Sequence, residues 1–362
     1  MPAIIQSTIK QPFDPSTLKA EVKNATIGSL VDMLKNDLID LNPEFQRNGD
    51  LWDDEKKSRL IESILLGLPL PSFYFYIDSS HKKWVVIDGL QRLCSLKSFM
   101  VDKSLTLKGL EFLDKKKYGI PFEEFDYFDR LAMSMHPVTL NVLTGETSAE
   151  ARYIIFQRVN SMGTQLNPTE MRNALYQGTA TKLLGKMVEN DVFIEMISSK
   201  ISTRRMKDKE FASRFLLFHL TDYREYDGRL DIAISNLMDK INKRISKEDA
   251  ALIYCSFVES LLMCKKLLGL DAFRKPETDS QERRKNQISM AIFEMLTVNL
   301  AKLNEQKKQD LEKRKKTFQK LYKKMYDDSM LQKYLTTGTG KAKAISYRME
   351  KMEGVITETL NQ

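Results

Sequence analysis

The chain has 362 residues, of which 42% are hydrophobic and 29% charged, with a formal net charge of +8. This is ordinary for a soluble protein and long enough for two domains with sizeable cores. No apolar run approaches the ~20 residues that span a bilayer. Met1 to Pro15 lack an apolar segment of signal-peptide type, and Cys94, Cys255 and Cys264 have no paired or zinc-ligand spacing. The expectation is a cytoplasmic protein with reduced thiols and no membrane partner.

Residues 1–25, with Pro2, Pro12 and Pro15, read as a loosely held arm. A short helix over Ile27 to Asp37 follows. Asp53, Asp54 and Glu55 then place acid in the first turn of a helix whose stripe is Leu60, Ile61, Ile64 and Leu65. Gly67 closes this helix and Pro69 forbids its continuation. Ser72 to Ile77 pairs as a hairpin with Lys83 to Ile87 across the turn Ser79 to Lys82. Residues 103–135 are mixed, and Val138 to Leu143 reads as another strand. Thr147 with Glu150 forms a capping-box pattern before a helix carrying Arg158 and Asn160. Asn167 caps the next helix, with Pro168 at its first position, Glu170 at its third and Gly178 beyond its end. From about 180 onward helical stripes dominate. Phe211, Phe215 and Phe218 share one face, and Leu252, Cys255, Val258, Leu261 and Leu262 mark another buried helix. Arg274 to Arg284 reads as a polar linker, after which Ile288, Ile292, Met295 and Leu296 resume the period. The organisation expected is an arm over 1–25, a nucleotide-binding domain over 26–150, and an α-helical domain over 151–362 with basic C-terminal helices.

Charge is unevenly placed. Residues 301–350 hold 14 Lys and Arg against 6 Asp and Glu, while the rest of the chain carries 43 of each sign. The peak is Lys313, Arg314, Lys315 and Lys316, with Lys320, Lys323 and Lys324 close behind. Such a stretch can follow a DNA phosphate backbone with salt-sensitive, sequence-independent affinity. It also reads as a solvated helix face, since Leu311, Phe318, Leu321, Tyr322 and Met325 form a stripe to pack.

The chemistry concentrates in Asp88-Gly89-Leu90-Gln91-Arg92, between the strand ending at Ile87 and a helix with Leu93, Leu96 and Phe99 at helical spacing. A Gly-containing corner at a strand's end that feeds a helix N-terminus can hold an anion, and an arginine there adds a forked cation. In this reading Gly89 admits close approach of a phosphate. Asp88 holds a magnesium ion through water or orients an attacking water, and Gln91 supplies neutral hydrogen bonds. Gln46, Arg47, Arg158 and Asn160 are candidates to converge on the same polyphosphate. Each also has a structural alternative: a turn dipeptide for Asp88-Gly89, a salt bridge to Glu150 or Glu170 for Arg158, a helix C-terminal turn for Asn160 with Gly163.

Four separated segments occur in order: Asn42 to Arg47 followed by Trp52, Ser58 to Pro71, Asp88 to Arg92, and Phe156 to Leu166 followed by Glu170 and Arg172. In this order they resemble the N-terminal domain family of GmrSD-type restriction endonucleases over roughly residues 25–180. That family's core is similar to the ParB and sulfiredoxin fold. The commonest family form has Gln where this chain has Leu90. The resemblance implies an α+β fold, a ParB/sulfiredoxin-like N-terminal domain followed by an α-helical C-terminal domain. It also implies that Asp88, Gln91 and Arg92 take part in binding and hydrolysing a nucleoside triphosphate with Mg2+, in defence against foreign DNA. Sulfiredoxins place a Cys before the corresponding Arg, whereas Cys94 follows Arg92, so a catalytic Cys94 is not expected.

Some chemistry is excluded. Relatives of full length carry a His-Asn-His-type nuclease domain, and His81, His136 and His219 do not form that pattern. No Gly-x-x-x-x-Gly-Lys-Ser/Thr loop or Gly-x-Ser-x-Gly elbow occurs. The leading expectation is a nucleotide-hydrolysing module that senses DNA and acts with a separate nuclease. Alternatives are a binding protein without chemistry and a ParB-like nuclease using Asp88 and Glu44 with a divalent metal, the last wanting more acids than are in view.

Overall fold

The computed structural model describes residues 20–41, 52–78, 83–113, 119–144, 147, 149–159, 167–276 and 287–362. It is a mixed α and β protein that divides into two compact units, one reaching to Leu175 and one over Tyr176–Gln362.

The first unit holds a five-stranded sheet in the order β1-β5-β3-β4-β2: β1 Ala20–Thr26, β2 Ile39–Asp40, β3 Phe73–Asp78, β4 Lys83–Asp88 and β5 Pro137–Leu143. β1 with β5 and β3 with β4 are antiparallel, while β3 with β5 and β4 with β2 are parallel. The helices are α1 Ile27–Lys35, α2 Asp54–Leu65, α3 Leu90–Leu96, α4 Tyr127–Met135, α5 Ala149–Val159 and α6 Pro168–Leu175.

Ala20 to Ala25, read from the sequence as the end of an arm, lie in strand β1. The register pairs Ala20 with Leu143 through to Thr26 with Pro137, so the ladder comes from a partner more than a hundred residues away. Strand β1 hands over to α1 at Thr26, whose hydroxyl accepts the Ser29 N–H at 3.3 Å while the Ser29 hydroxyl accepts the Thr26 N–H at 3.0 Å. Helix α2 starts where the acids predict, with the Asp53 carboxylate accepting the Lys56 N–H at 2.9 Å. The expected hairpin is present as β3 and β4, though its turn lies outside the described residues. Helix α4, in the stretch whose pattern was mixed, opens on an Asp126 cap. Phe73, Phe75, Val86, Leu93, Leu96, Phe99 and Val142 form the centre of this unit's core, each burial worth about 1.5–3 kcal/mol.

Residues 176–362 are helical: α7 Thr179–Val188, α8 Asp191–Met196, α9 Lys207–Leu220, α10 Leu230–Arg244, α11 Lys247–Leu268, α12 Met290–Ala301, α13 Glu305–Lys313, α14 Lys315–Met325, α15 Ser329–Thr336 and α16 Ala342–Asn361. Every residue from Ala291 to Leu300 on α12 is buried, and Phe211, Phe257 and Phe273 pack around its Phe293. Helix α11 corrects the stripe read from sequence. Leu252 is 58% exposed, and Cys255 and Leu262 are exposed as well. The buried face is Ile253, Phe257, Ser260, Leu261, Cys264 and Leu267. Helix α11 is apolar on more than one face, and Phe257 turns inward onto Phe193, Phe215 and Phe293.

Candidate functional site

Strand β4 buries Val85, Val86 and Ile87 and ends at Asp88. The chain then turns into α3 through Gly89, whose φ of 99° and ψ of 9° lie in the left-handed region. Its carbonyl accepts the Leu93 N–H at 2.9 Å, the first bond of the helix. A Cβ at this position would lie 2.5 Å from Phe73 Cδ1. Backbone conformation and lack of space both require glycine here.

Arg92 lies one turn along α3 and is 8% exposed. Its guanidinium donates through Nη1 to the Pro71 carbonyl and through Nη2 to the Ser72 carbonyl at 3.1 Å. Nη2 also meets Asp88 Oδ2 at 2.9 Å. The guanidinium carbon sits 4.4 Å from the centre of the Phe73 ring. Burial draws the Arg92 pKa down and the Asp88 charge opposes that. Arg92 thus fastens the segment leading into β3 to the end of β4 and fixes the carboxylate of Asp88. That carboxylate is 32% exposed, and its Oδ1 accepts no hydrogen bond among the described residues. Gln91 points to the start of α2: its Oε1 accepts the Trp52 N–H at 3.3 Å, while its carbonyl accepts the Ser95 hydroxyl at 2.7 Å.

The structure therefore brings Asp88, Gly89, Gln91 and Arg92 together. Arg158 is exposed in the last turn of α5, and both α5 and α6 pack against β4. Helix α6 has the expected cap, with Asn167 Oδ1 accepting the Glu170 N–H at 2.9 Å and Glu170 Oε2 accepting the Asn167 N–H at 2.7 Å. Gln46, Arg47, Asn160 and Glu44 lie outside the described residues. Cys94 packs against the hydrophobic core. Among the described residues no group of three or more His, Cys, Asp or Glu side chains is placed to hold a metal.

Three features of the corner were not anticipated: the Pro71 and Ser72 carbonyls that receive Arg92, the Phe73 ring beneath it, and the Trp52 N–H on Gln91. The prolines at 69 and 71 signal an extended, non-helical backbone before β3, but not that its carbonyls face an arginine 20 residues on. Glu62 was missed too. It stands on the apolar stripe of α2 between Ile61 and Leu65, a sign that a buried acid has partners. Its carboxylate accepts the N–H groups of Glu111, Phe112 and Leu113 at 2.7–3.1 Å. Burial opposes its ionisation, but these donors outweigh burial and hold its pKa below the usual carboxylate range.

In the helical unit, Lys313 ends α13, Arg314 joins the two helices, and Lys315 and Lys316 open α14. Lys313, Lys315 and Lys316 are exposed, while Phe318, Tyr322 and Met325 turn inward. No helix of the described residues is long and apolar enough to cross a membrane.

Residues 27–177 match the family model of the GmrSD restriction endonuclease, N-terminal domain, and belong to that family. A domain of this family is a component of restriction systems. The matched segment ends within two residues of the boundary between the compact units. No curated protein and no solved structure matches the chain.

Proposed function

We propose that this GmrSD restriction endonuclease N-terminal domain binds a nucleoside triphosphate at the Asp88–Arg92 corner and hydrolyses it. In this reading turnover serves a DNA restriction system whose cutting is done by a separate nuclease partner. The observation that carries the reading is Asp88: a partly exposed carboxylate at the end of an interior strand, held by one oxygen on a buried arginine while the other accepts no hydrogen bond among the described residues. A carboxylate fixed this way can orient water without reorganising during reaction. Asp88 Oδ1 fits the role of holding Mg2+ through water, the ion keeping most of its ligands from phosphate and water as Mg2+ commonly does. Gly89 permits the left-handed turn that carries Asp88 into α3 against the Phe73 ring, and Arg92 acts by positioning Asp88. The ParB/sulfiredoxin-like description of the core belongs to this proposal and rests on the order of the motifs.

A second reading, a corner that binds without chemistry, draws support from Leu90 and from the internal bonding of Arg92, which turns the guanidinium toward the chain's own carbonyls. The metal-dependent nuclease reading finds no acid cluster among the described residues.

The test is phosphate release from each of the four nucleoside triphosphates with Mg2+, with and without DNA, for the wild type, Asp88→Asn and Arg92→Lys. The expected result is turnover that Asp88→Asn lowers at least a hundredfold with nucleotide binding retained, and that Arg92→Lys lowers less. Binding without turnover in the wild type supports the second reading. Turnover unchanged in Asp88→Asn removes the corner from the chemistry.

A further inference from the structure

We propose that α14, with the end of α13, is a phosphate-tracking ridge that grips duplex DNA through its backbone without reading sequence. The proposal rests on the reading of the chain as part of a DNA restriction system, and it identifies a DNA-gripping surface in the helical unit, beyond the matched residues 27–177.

Between Lys313 and Tyr326 the chain has seven cations (Lys313, Arg314, Lys315, Lys316, Lys320, Lys323, Lys324) and no acid. Six of these are lysines, all exposed. Lys316, Lys320 and Lys323 stand at i, i+4 and i+7, one stripe along α14, with Lys313 and Lys324 at its ends. The stripe runs about 10 Å along the helix axis, the length of roughly three phosphates of one strand.

The fold itself makes little use of these charges. Elsewhere in the unit some lysines sit on carboxylates, Lys265 on Glu195 at 2.6 Å, Lys266 on Glu312 at 2.9 Å and Lys243 on Asp239 at 2.7 Å, while Lys182, Lys186 and Lys247 form no ion pair among the described residues but lie scattered rather than in a run. On the ridge, Lys313 lies 3.5 Å from Asp310. Lys315, Lys316, Lys320, Lys323 and Lys324 form no ion pair among the described residues. Lys315 and Lys316 also oppose the dipole at the start of α14, a placement that destabilises a helix. Packing does not hold the lysines either, since the helix is anchored by Phe318, Tyr322 and Met325 on its opposite face. A run of point charges that neither pairs nor packs fits a polyanion supplied from outside.

The remaining polar groups decide against base readout. Gln319, the one amide on α14, is partly buried and donates to the Leu267 carbonyl at 2.7 Å. Lysine presents a flexible point charge suited to phosphate, whereas edge readout uses bidentate Arg, Asn or Gln.

The test uses the full chain and a fluorescent 30-bp duplex in two unrelated sequences, with binding followed by polarisation from 50 to 300 mM salt. Lys316→Ala/Lys320→Ala/Lys323→Ala is compared with Lys182→Ala/Lys186→Ala/Lys247→Ala, an equal loss of charge on other exposed helix faces. The expected result is equal affinity for both sequences. The ridge variant should lose at least tenfold in affinity at 100 mM salt and two to three in the slope of log K against log salt. The comparison variant should change less than threefold, both keeping the wild-type circular dichroism. Equal losses in the two variants, or none in the ridge variant, overturn the ridge. So does a strong preference for one duplex, or capture of an acidic protein with no DNA binding. Phosphate release measured on the same preparations separates the two proposals. Turnover without ridge-dependent binding defeats this one alone, and ridge-dependent binding without turnover defeats only the nucleotide reading.

Discussion

Arg92 shows how one side chain can look like a ligand in sequence and act as a fastener in structure. Burying an arginine is unfavourable unless its donors are met, and here two carbonyls, a carboxylate and an aromatic face meet them. Arg92→Ala would strand Asp88 and the Pro71 and Ser72 carbonyls, and should lower stability by about 3 kcal/mol in denaturant titration. The same substitution therefore tests folding as much as turnover, which is why Arg92→Lys and Asp88→Asn carry the functional test. Gly89→Ala should cost about 2 kcal/mol or more, because a positive φ and a close Phe73 ring act together. A Gly89→Ala protein with unchanged stability would mean the corner relaxes freely. His219 stacks on Phe215 at 4.9 Å, and its buried Nδ1 has no hydrogen-bond partner among the described residues. Burial, then the charge of Lys302, brings it down to about 4 from an ordinary 6.5. The unfolded chain binds a proton near pH 6.5 and the folded chain only near pH 4. The stabilisation is thus full above about pH 6.5 and lost as pH falls toward 4, by about 3 kcal/mol. His219→Phe should flatten that part of the stability profile.

At the scale of elements, buried charges act as joints. Glu62 holds the segment Lys108 to Leu113 onto α2, aided by the Ser58 hydroxyl, which accepts the Lys108 N–H at 3.0 Å. Its pKa is depressed in the fold, so its contribution is present above about pH 4.5 and lost as pH falls through the folded value. Glu62→Gln should cost about 1–3 kcal/mol and raise hydrogen exchange at Glu111, Phe112 and Leu113, since a neutral amide oxygen accepts these three N–H groups more weakly than the Oε1 of a carboxylate does, and the amide NH2 would face the Glu111 N–H. In the helical unit Glu294, fully buried on α12, meets Arg348 of α16 and Arg214 of α9 at 3.3 Å. Arg348 also donates to the Tyr334 and Thr339 carbonyls at 2.8 Å. Burial lowers the Arg214 pKa, but Glu294 and Glu210 outweigh it and raise it. Glu294→Ala would leave two buried cations short of a counter-charge, and a loss of about 3–5 kcal/mol is expected. None of these joints is written in local sequence. Glu62 and Glu294 each interrupt an apolar stripe, which says that a partner exists but not which one.

At the scale of the molecule, the two units have separate cores, one around the sheet and one around α12. Residues 176–362 expressed alone should keep their helical circular dichroism and unfold cooperatively. The sheet residues and α5 and α6 belong to one unit because those helices pack on β4.

Much of this was legible in the chain. Helix starts at Asp53 and Asn167, the β3–β4 hairpin and the turn at Gly89 follow from caps, alternation and glycine, all of which act within a few residues. The order of the four motifs identified the family, and counting charge located the basic stretch. Strand β1, the inward face of α11, the partners of Arg92 and the absence of ion pairs along α14 among the described residues needed the tertiary structure. Most depend on groups from about 20 to more than a hundred residues away, and local sequence specifies a side chain's needs without naming what will meet them.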